Sequence, residues 1–477
     1  MRIPFSKYRT LIHEDASQTD EKDISDQLDH IDDVILNGGK GAFSEFRAYV
    51  EGILNYITGL DSDVGMNLDV DGGPTIYFGR SPGPNGIGEF FVGKNIFSDN
   101  RKINYNEREV QYNHGSKPGM ERRLIQAITE LKPFYEEVVK RIEGGIIEAQ
   151  FLFNSSSDGY NTEKESLGGR DFITFQPNKT KYAIPVDHGS DLYNAVANAR
   201  IGLVVNGIWK VEKGFEGKER LNTPDIVDEL AEIALRHGLF IVNAQYSPDN
   251  FNALVSDSSI KKIRALLEDT QDNVNAISDE LDDAFFGSED SSTPEKKLVT
   301  YFREFVVDQI NRSTTGERTF YKDATQGKNF SDALFNLAFD KFIDQVESKE
   351  QDSDENRLLF KRINSRTGDF KQYLKATHLI VQIKSILLEL FSKVHGRDKL
   401  GMSFNDDGEG FSQGKSEDGF VVYWQDQGKR ISNRLIPTQN RNPNPGLSED
   451  GMGGALHNML RGSDQLYNGN IGTAGPV

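Results

Sequence analysis

The residues of this chain that are best suited to chemistry are carboxylates and cations that stand next to glycines. The run Asn67-Leu-Asp-Val-Asp-Gly72 places Asp69 and Asp71 two residues apart, directly before Gly72. This spacing imitates the start of a calcium-binding loop, but the twelfth position of such a loop would be Phe78 instead of a glutamate. Aspartate and glycine also favour tight turns, through side-chain capping and positive φ. The sequence therefore predicts a turn first and a ligand-facing segment second.

A second group that could bind a ligand is a basic cluster near the end of the chain. Lys429, Arg430 and Arg434 lie close together, with Arg441 a little further on. The whole chain, by contrast, has 55 lysines and arginines against 74 aspartates and glutamates, a formal net charge of −19. A surface this acidic repels nucleic acid over most of its area. The cluster is therefore interpreted as a solvated strand face, or as a local basic patch that contacts phosphate or nucleic acid.

The residue types exclude several common classes of site. The chain has no cysteine, which excludes disulfides, thiolate metal sites and cysteine nucleophiles. Its 8 histidines are dispersed and form no H-E-x-x-H motif. Gly83, Gly86 and Gly88 lie in a proline-rich connection and do not match the dinucleotide-binding pattern before a helix. The nucleophile-elbow serine motif and the Walker loop are missing as well. Motifs alone therefore predict no metal site and no confident catalytic residue.

Four longer segments follow one another in a recognisable order. They are Asp69-Val-Asp-Gly-Gly-Pro-Thr-Ile76 followed by Phe90-Phe-Val-Gly-Lys-Asn-Ile-Phe97, then Gly145-Ile-Ile-Glu-Ala-Gln-Phe-Leu-Phe153, then Asp171-Phe-Ile-Thr-Phe-Gln-Pro-Asn178 with Lys181-Tyr-Ala-Ile-Pro-Val186, and finally Glu417-Asp-Gly-Phe-Val-Val422 with Arg430-Ile-Ser-Asn-Arg434. In this order and spacing the chain resembles an uncharacterised family of tailed-bacteriophage proteins, notably of cyanophages. The resemblance covers residues 28–210 and 415–436.

The resemblance implies a known kind of chemistry. In that family the first segment usually reads Lys-Trp-Asp-Gly-Ala-Pro-Ala, and the set of segments is similar to the covalent nucleotidyltransferases, which include DNA and RNA ligases and capping enzymes. In such an enzyme a lysine amine attacks the α-phosphate of ATP and forms a phosphoramidate. Carboxylates bind the ribose and Mg²⁺. Basic residues offset the charge that develops on the transferred phosphate and on the leaving pyrophosphate.

This chain departs from the family pattern at the nucleophile. The position that matches the lysine is Asp69, a carboxylate that repels a triphosphate. Lys94 matches a ligase's accessory lysine, which approaches a phosphate but is not the expected nucleophile. Losing the one group that forms the covalent intermediate is harder to compensate than any other single change. The resemblance therefore predicts a fold that was kept after its chemistry was lost.

The other positions of the pattern are altered more mildly. The acidic position of the second segment is Gln150, although Glu148 lies two residues away and so on the same face of a strand. The glutamate of the family's Glu-Gly pair is shortened to Asp418, before Gly419, and the last lysine becomes Arg430. Together with Asp69, Asp71, Gly72 and Lys94, these residues form the predicted degenerate ligase-like site.

The elements that must position this site are short strands mixed with helices. β-type runs punctuated by Gly, Pro and Asn are predicted at residues 75–78, 89–92, 145–153, 172–175, 181–186 and 201–205. Helical periodicity predicts helices at residues 43–60, 119–141 and 191–198, and a mainly helical block at 222–400. Strand character returns at 419–424 and 430–435. The expected class is α+β, with a nucleotidyltransferase-like mixed sheet.

The predicted organisation has five parts. They are an N-terminal helical lead-in at residues 1–65, the α+β core at 66–221, a helical insertion at 222–400, strands that return to the core at 401–436, and an extended polar tail at 437–477. The tail is rich in Asn, Gly and Pro and has few apolar side chains, so it is expected to be disordered unless a partner holds it. The most apolar stretch, residues 379–394, includes Gln382 and Lys384 and is too short and too polar to span a bilayer.

These features favour a phage virion or head-associated structural or assembly protein, built on a catalytically degenerate nucleotidyltransferase-like domain. Its expected partners are other virion proteins, bound through residues 437–477, with nucleic acid only at a local basic patch and no membrane. Its expected location is the host cytoplasm during assembly and then the virion. One alternative is an active ATP-dependent ligase or nucleotidyltransferase, with ATP and Mg²⁺ as cofactors and Lys94 as a shifted nucleophile. The other alternative is a nucleotide-binding or RNA-end-binding protein without catalysis, and outside the enzymatic alternative no cofactor is expected.

Overall fold

The computed structural model of this protein describes most of the chain between residues 30 and 431. The described ranges are 30–60, 64–70, 73–82, 88–97, 101–115, 118–155, 161–167, 170–177, 181–186, 191–212, 215, 218–221, 223–252, 255–283, 286, 294–314, 316–349, 354–395, 402–404, 411–412, 420–424 and 427–431. The predicted tail at residues 437–477 and most of the predicted lead-in therefore lie outside the described residues.

The strands form where apolar and β-branched runs alternate or are buried on both faces. Their bounds are β1 Val64–Leu68, β2 Thr75–Arg80, β3 Phe90–Lys94, β4 Lys102–Asn104, β5 Ile146–Asn154, β6 Glu163–Leu167, β7 Arg170–Phe175, β8 Lys181–Pro185, β9 Ile201–Val211, β10 Lys218–Leu221, β11 Leu239–Asn243, β12 Gln245–Tyr246, β13 Met402–Phe404, β14 Phe411–Ser412, β15 Phe420–Trp424 and β16 Gln427–Ile431. Each strand predicted between residues 75 and 205 has a counterpart among them.

The described strands form three sheets. The seven-stranded sheet has the order β10-β9-β5-β2-β3-β4, and β11 pairs with β9 in parallel, which makes this sheet mixed. The five-stranded sheet has the order β14-β13-β8-β7-β6, and the four-stranded sheet has the order β12-β1-β15-β16. Because strands and helices are both abundant and interspersed, the protein has a mixed α+β fold, as the sequence predicts.

The helices account for the amphipathic segments of the sequence. Their bounds are α1 Val34–Ile57, α2 Glu107–His114, α3 Pro118–Val138, α4 Asp191–Asn198, α5 Pro224–Arg236, α6 Asp249–Asn252, α7 Asp257–Asn275, α8 Asp279–Asp282, α9 Pro294–Thr314, α10 Phe320–Thr325, α11 Asp332–Lys349, α12 Asp354–Ser365 and α13 Thr367–His395. Within these described ranges, every helix is too short or too polar to cross a lipid bilayer.

One face of the seven-stranded sheet is covered by α3 and α5. Leu124, Leu131 and Val138 of α3 recur at helical spacing and are buried against the sheet. Ile76 of β2 and Ile147 of β5 point to the same core. Fully burying a side chain of this kind contributes about 1.5–3 kcal/mol. The opposite face of this sheet carries apolar residues, such as Val204 and Phe240 in the core that includes the helical block, as well as polar ones such as Glu148.

The four-stranded sheet joins parts of the chain that are far apart in sequence. β15 pairs antiparallel with β1, and Leu68 lies opposite Phe420. Its apolar face packs on helices, as shown by the Tyr49 hydroxyl of α1, which donates to the Val422 carbonyl at 2.6 Å, and by the Phe391 ring of α13, whose centroid is 4.8 Å from that of Phe420. The return of β15 to the earlier strands, which the sequence predicts, is observed. The five-part division of the chain remains a prediction.

The block at residues 222–400 is less purely helical than the sequence predicts. β11 lies within it and pairs in parallel with β9, in the seven-stranded sheet. β12 also lies within it and pairs with β1. The run Leu239–Asn243 is short and continuously apolar, and such a run cannot be assigned to a strand or a buried helix from periodicity alone. Among the described residues of this block, the helices that no strand interrupts therefore begin after β12.

A buried ion pair connects the start of α1 to α13. Lys384 lies within the apolar stretch of α13, and its Nζ is 2.9 Å from Asp32 Oδ1. The Tyr321 hydroxyl donates to Asp32 Oδ2 at 3.0 Å. Both charged side chains are 3% exposed. A buried lysine requires such a partner, because an unpaired charge in the interior is costly.

Candidate functional site

The four-stranded sheet turns its second face towards the seven-stranded sheet. Along β1, Met66 and Leu68 are buried in the core that includes the helices, so Asn67 points the other way. Asn67 is 1% exposed, and its Nδ2 donates to the Asn206 carbonyl of β9 at 2.5 Å. Its Oδ1 has no partner among the described residues. The interface between the two sheets is therefore polar at this point, and one of its buried hydrogen-bond acceptors has no partner among the described residues.

Register places the predicted basic position on the same face. Asn67 pairs with Val421 of β15, and Val421 pairs with Arg430 of β16. Residues that are directly opposite in neighbouring strands share one face of the sheet. The backbone of Arg430 is therefore in register with Asn67 and Val421. Asp418 and Gly419 lie outside the described residues.

Asp69 lies where the chain leaves one sheet for the other. It follows β1 directly and is 7% exposed. A few residues later the Gly73 amide donates to the Phe151 carbonyl of β5 at 2.7 Å, and Thr75 then pairs with Gln150. The segment singled out in the sequence is thus the connection between the two sheets. Asp71 and Gly72 lie outside the described residues, so the turn that they were expected to form remains a prediction.

Glu148 and Gln150 occupy the polar face of the seven-stranded sheet. Ile147 and Ala149 of the same strand are buried under the helices, so the alternate residues point to the opposite side. Glu148 pairs with Tyr77 of β2 on one side. The shared strand face that the sequence predicts for Glu148 and Gln150 is therefore confirmed.

Glu148 is a buried carboxyl group with an unusual environment. It is 8% exposed, and the indole Nε1 of Trp209 donates to its Oε2 at 2.7 Å. Burial raises the pKa of Glu148, and the nearby charge of Arg220, the Trp209 hydrogen bond and the charge of Lys218 oppose that increase. The neighbours of this carboxylate are thus two cations and an indole. Such a set suits an anion better than a divalent metal ion.

Arg220 of β10 spans the interface between the sheets. Its guanidinium lies 3.6 Å from the ring centroid of Tyr423 in the four-stranded sheet, and its Nη2 donates to the Asn206 carbonyl. The group lies over Gly207, where a Cβ would come within 2.9 Å of Nε. Glycine at this position therefore allows the guanidinium to approach the strand. Nε of Arg220 is buried without a partner among the described residues.

Lys218 stands two residues before Arg220 and so on the same face of β10. Its Nζ is 4.9 Å from the ring centroid of Phe97 and 5.3 Å from that of Trp209. We use the name inter-sheet site for the residues that meet here, which are Asn67, Glu148, Trp209, Lys218, Arg220 and Tyr423. It combines two cations, a carboxyl group, a buried amide and aromatic rings.

Lys94 does not belong to this site. It ends β3 and pairs with Lys102 of β4. Because it shares its face with Val92, which is buried in the core under α3, it lies on the opposite side of the sheet from Glu148. Val92 and Lys94 are two residues apart in β3, and neighbouring strand residues alternate between the faces, so the two side chains share one face. The sheet therefore separates the predicted accessory lysine from the predicted carboxylate.

The residues present offer no ready site for a metal ion. In the part of the chain that the structure describes, no three histidine, aspartate or glutamate side chains come together in a way that could hold one. The same residues can bind an anion, because Arg220 and Lys218 supply donors and positive charge.

The sequence predicted only part of this site. Arg220, Lys218 and Tyr423 were not singled out, although the alternation Lys-Glu-Arg at 218–220 indicates two cations on one strand face. In the sequence, Asn67 stands out only as the first residue of a run that imitates a calcium-binding loop. Their convergence depends on how β10 and β15 are placed in two different sheets, and no local pattern contains that placement.

Three comparisons with known proteins bear on the chain as a whole. A family described as "Family of unknown function (DUF6267)" matches residues 26–441. The comparisons with curated proteins and with solved structures give no match. The matched range includes every residue of the inter-sheet site.

Proposed function

The chain belongs to the family of unknown function DUF6267, and we propose that it binds a nucleotide, or the phosphorylated end of RNA, at the inter-sheet site without catalysing a transfer. The ligand class is defined by its chemistry, a phosphate attached to a sugar and a planar base. The observation that carries the proposal is the position of Arg220, a guanidinium held between two sheets beside an aromatic ring and with a buried, unpartnered Nε.

Arg220 is suited to a phosphate because of how its donors are used. One donor, Nη2, is occupied by the Asn206 carbonyl. The buried Nε has no acceptor among the described residues, and a buried unsatisfied donor costs about 1–3 kcal/mol. A phosphate oxygen would satisfy such a donor with a strong, charge-assisted hydrogen bond. Lys218, on the same strand face, would add a second positive charge.

The aromatic and amide groups of the site suit the rest of a nucleotide. Tyr423 and Trp209 flank the two cations but are buried, so the partly exposed ring of Phe97 beside Trp209 is the one on which a base or a sugar could stack. Asn67 has a buried Oδ1 without a partner among the described residues, which can accept a hydrogen bond from an amine or a hydroxyl group. The carboxyl group of Glu148 can accept from a sugar hydroxyl as well.

The absence of transfer is proposed because the lysine amine of the family pattern has no counterpart here. Asp69 stands at that position and is buried at the end of β1. Lys94 lies on the other face of the sheet, across from Lys102. Of Lys94, Lys218 and Arg220, Lys218 is the lysine on the face of Glu148, so it is the residue to examine for covalent chemistry.

Binding is tested with ATP, GTP and a 5′-phosphorylated RNA oligonucleotide, and it is measured by calorimetry. Lys218→Gln and Arg220→Gln are expected to weaken binding about tenfold or more each, since hydrogen bonds to charged groups contribute about 1.5–3 kcal/mol. Lys210→Gln is the matched control, because Lys210 neighbours Glu219 on the opposite face and is paired with Glu143 at 2.6 Å. Equal binding by all three variants, with unchanged thermal stability, would contradict the proposal.

Covalent chemistry is tested separately. The protein is incubated with Mg²⁺ and labelled ATP or GTP, and the products are analysed by mass spectrometry after acid treatment. No protein–nucleotide adduct is expected. An AMP or GMP adduct mapped to Lys218 or Lys94 would support an active nucleotidyltransferase instead, while binding without an adduct supports the non-catalytic function.

A role in a phage virion, with partners bound through residues 437–477, remains a prediction from the family resemblance. It is compatible with ligand binding at the inter-sheet site, since the two use different parts of the chain. Mass spectrometry of purified virions would decide whether the protein is a virion component.

A further inference from the structure

A connected group of aromatic rings covers part of the polar side of the seven-stranded sheet. We call it the aromatic face, and its members are Tyr77, Phe91, Phe97, Tyr105, Trp209 and Phe215. The ring of Phe97 has its centroid 5.2 Å from that of Trp209 and 5.4 Å from that of Tyr77. The aromatic face therefore begins at the inter-sheet site, because Trp209 belongs to both.

The rings continue from there towards the sheet edge formed by β4. Phe91 of β3 has its ring centroid 5.9 Å from that of Phe215 and 6.5 Å from that of Tyr105. Phe91 and Trp209 are buried, whereas Phe97 and Phe215 are partly exposed. Part of the surface of Phe97 and of Phe215 is therefore accessible to a ligand, beside rings that are buried in the sheet.

Cations stand at both ends of this face. Lys218 is exposed and lies over Phe97 and Trp209. Arg101 is exposed and its guanidinium carbon is 5.9 Å from the ring centroid of Phe215. In a chain with a formal net charge of −19, these two exposed cations place positive charge beside the rings, whose neighbours also include the carboxyl groups of Glu109 and Glu148.

The backbone at Phe215 supports a role beyond packing. Its φ is 64°, in the left-handed region that a bulky residue rarely adopts. This conformation places the ring against Phe91 and beside Arg101. Strained backbone of this kind persists where the surroundings fix it and clusters at functional sites.

We propose that the aromatic face is a platform for single-stranded nucleic acid. Bases would stack on the partly exposed rings, and Arg101 and Lys218 would contact the phosphates. The proposal rests on the proposed function in one respect, because the end of the strand would lie at Arg220, two residues along β10 from Lys218. An acidic peptide would use the cations but not the rings, and a duplex keeps its bases stacked inside, so a single strand fits both sets of groups.

The test uses the full chain and a 5′-hydroxyl oligothymidylate of about twelve nucleotides, followed by fluorescence anisotropy at several salt concentrations. Phe215→Leu is expected to weaken binding about 5- to 150-fold, the effect of losing one stacked base. Arg101→Gln should weaken it at low salt and reduce the salt dependence by about 0.7 in the log–log slope, the value for one phosphate of a single strand. Because Arg101 is exposed, this variant tests the proposal even if Phe215→Leu folds poorly.

The matched control is Lys132→Gln, which removes one exposed cation from α3 on the opposite side of the sheet and should leave binding unchanged. Equal effects of Arg101→Gln and Lys132→Gln would overturn the proposal, as would binding of polyglutamate as tight as that of the oligonucleotide. Failure of the proposed function looks different. In that case a 5′-phosphate would add nothing to affinity, and Arg220→Gln would have no effect, while the 5′-hydroxyl strand still bound through Phe215 and Arg101.

Discussion

At the scale of single residues, the sequence predicts the strand face of Glu148 but not the residues that surround it. The face follows from the alternation of β5, whereas the neighbours come from other strands. Trp209, Arg220 and Lys218 reach it from β9 and β10, and burial outweighs their combined effect, so that the pKa of Glu148 is raised. Because this carboxyl group is costly to ionise in the folded state, Glu148 lowers the stability of the folded protein when it is ionised.

Glu148→Gln is expected to stabilise the protein at neutral pH. Because the folded-state pKa lies above the ordinary value near 4.5, ionised Glu148 favours the unfolded state. The penalty is absent well below pH 4.5, develops as pH rises through the unfolded and then the folded pKa, and persists above both. Thermal or urea unfolding from pH 4 to pH 8 should therefore show the variant gaining on the native protein as pH rises. A variant that loses ground instead would show that Arg220 and Lys218 outweigh burial.

Glu143→Gln provides a control of opposite sign. The hydrogen bond from Lys210 lowers the pKa of Glu143, so the ionised carboxylate favours the folded state. That contribution is present above the ordinary pKa of glutamate and is lost as pH falls through the folded value. This variant should be no more stable than the native protein at pH 7, with any difference disappearing at low pH.

At the scale of elements, α1 is a helix that is bent in order to fit. Gly39 has φ 58° and ψ −147°, which interrupts the helical conformation inside Val34–Ile57. The bend brings the Lys40 amide to Asp282 Oδ1 at 2.9 Å and its Nζ to the Ile277 carbonyl at 2.8 Å. Lys40 is thus one of the points at which the N-terminal helix is attached to the helical block, beside the ion pairs of Arg47 with Glu268 and of Glu51 with Arg264.

Gly39→Ala is expected to destabilise the protein by at least about 1–2 kcal/mol, the cost of a left-handed backbone for a residue with a Cβ. A Cβ at this position would also collide with Asp282 Oδ1 and the Phe286 ring. Gly41→Ala is the matched control, because Gly41 is helical and no atom lies within 4 Å of its Cβ position. The control should gain about 0.5–1 kcal/mol in urea unfolding. If Gly39→Ala were as stable as the control, the bend would not be required.

At the scale of the whole molecule, the chain closes on itself through the four-stranded sheet. β1 lies between β12 and β15, which come from the middle and the end of the described chain. Phe420, Val422 and Ile431 are buried in the same core as α1 and α13. The helical block therefore lies in sequence between strands that pair with one another, so the pairing of β1 with β15 is non-local.

Two truncations should separate the closing strands from the tail. Ending the chain at residue 436 keeps β15 and β16, and it is expected to leave the melting temperature nearly unchanged. Ending it at residue 412 removes both strands and exposes the partner edge of β1, so it should unfold the protein or lower the melting temperature by many degrees. Should the shorter chain melt like the longer one, the closure of the sheet would be unimportant for stability. The virion hypothesis adds that truncation at 436 abolishes incorporation into particles.

The sequence by itself determined the local elements of this protein. α4 is observed at Asp191–Asn198 as predicted, and the strand around Glu148 has the predicted alternation. Both predictions have the same physical basis. The period of apolar residues is a local property of each segment, because each segment must bury its apolar side chains on one side. The α+β class follows from the same signals, summed along the chain.

Only the tertiary structure decided which of the chemical residues meet. Lys94 and Glu148 lie in two strands of one sheet that are both paired with β2, yet on opposite faces, because a shift of one residue in a strand reverses the side. Arg220 and Tyr423 touch although a long helical block separates them in sequence. Their contact depends on which strand edges pair, a choice made by the total burial of the core and not by any segment alone. The candidate site is therefore a product of strand register, which the sequence encodes only collectively.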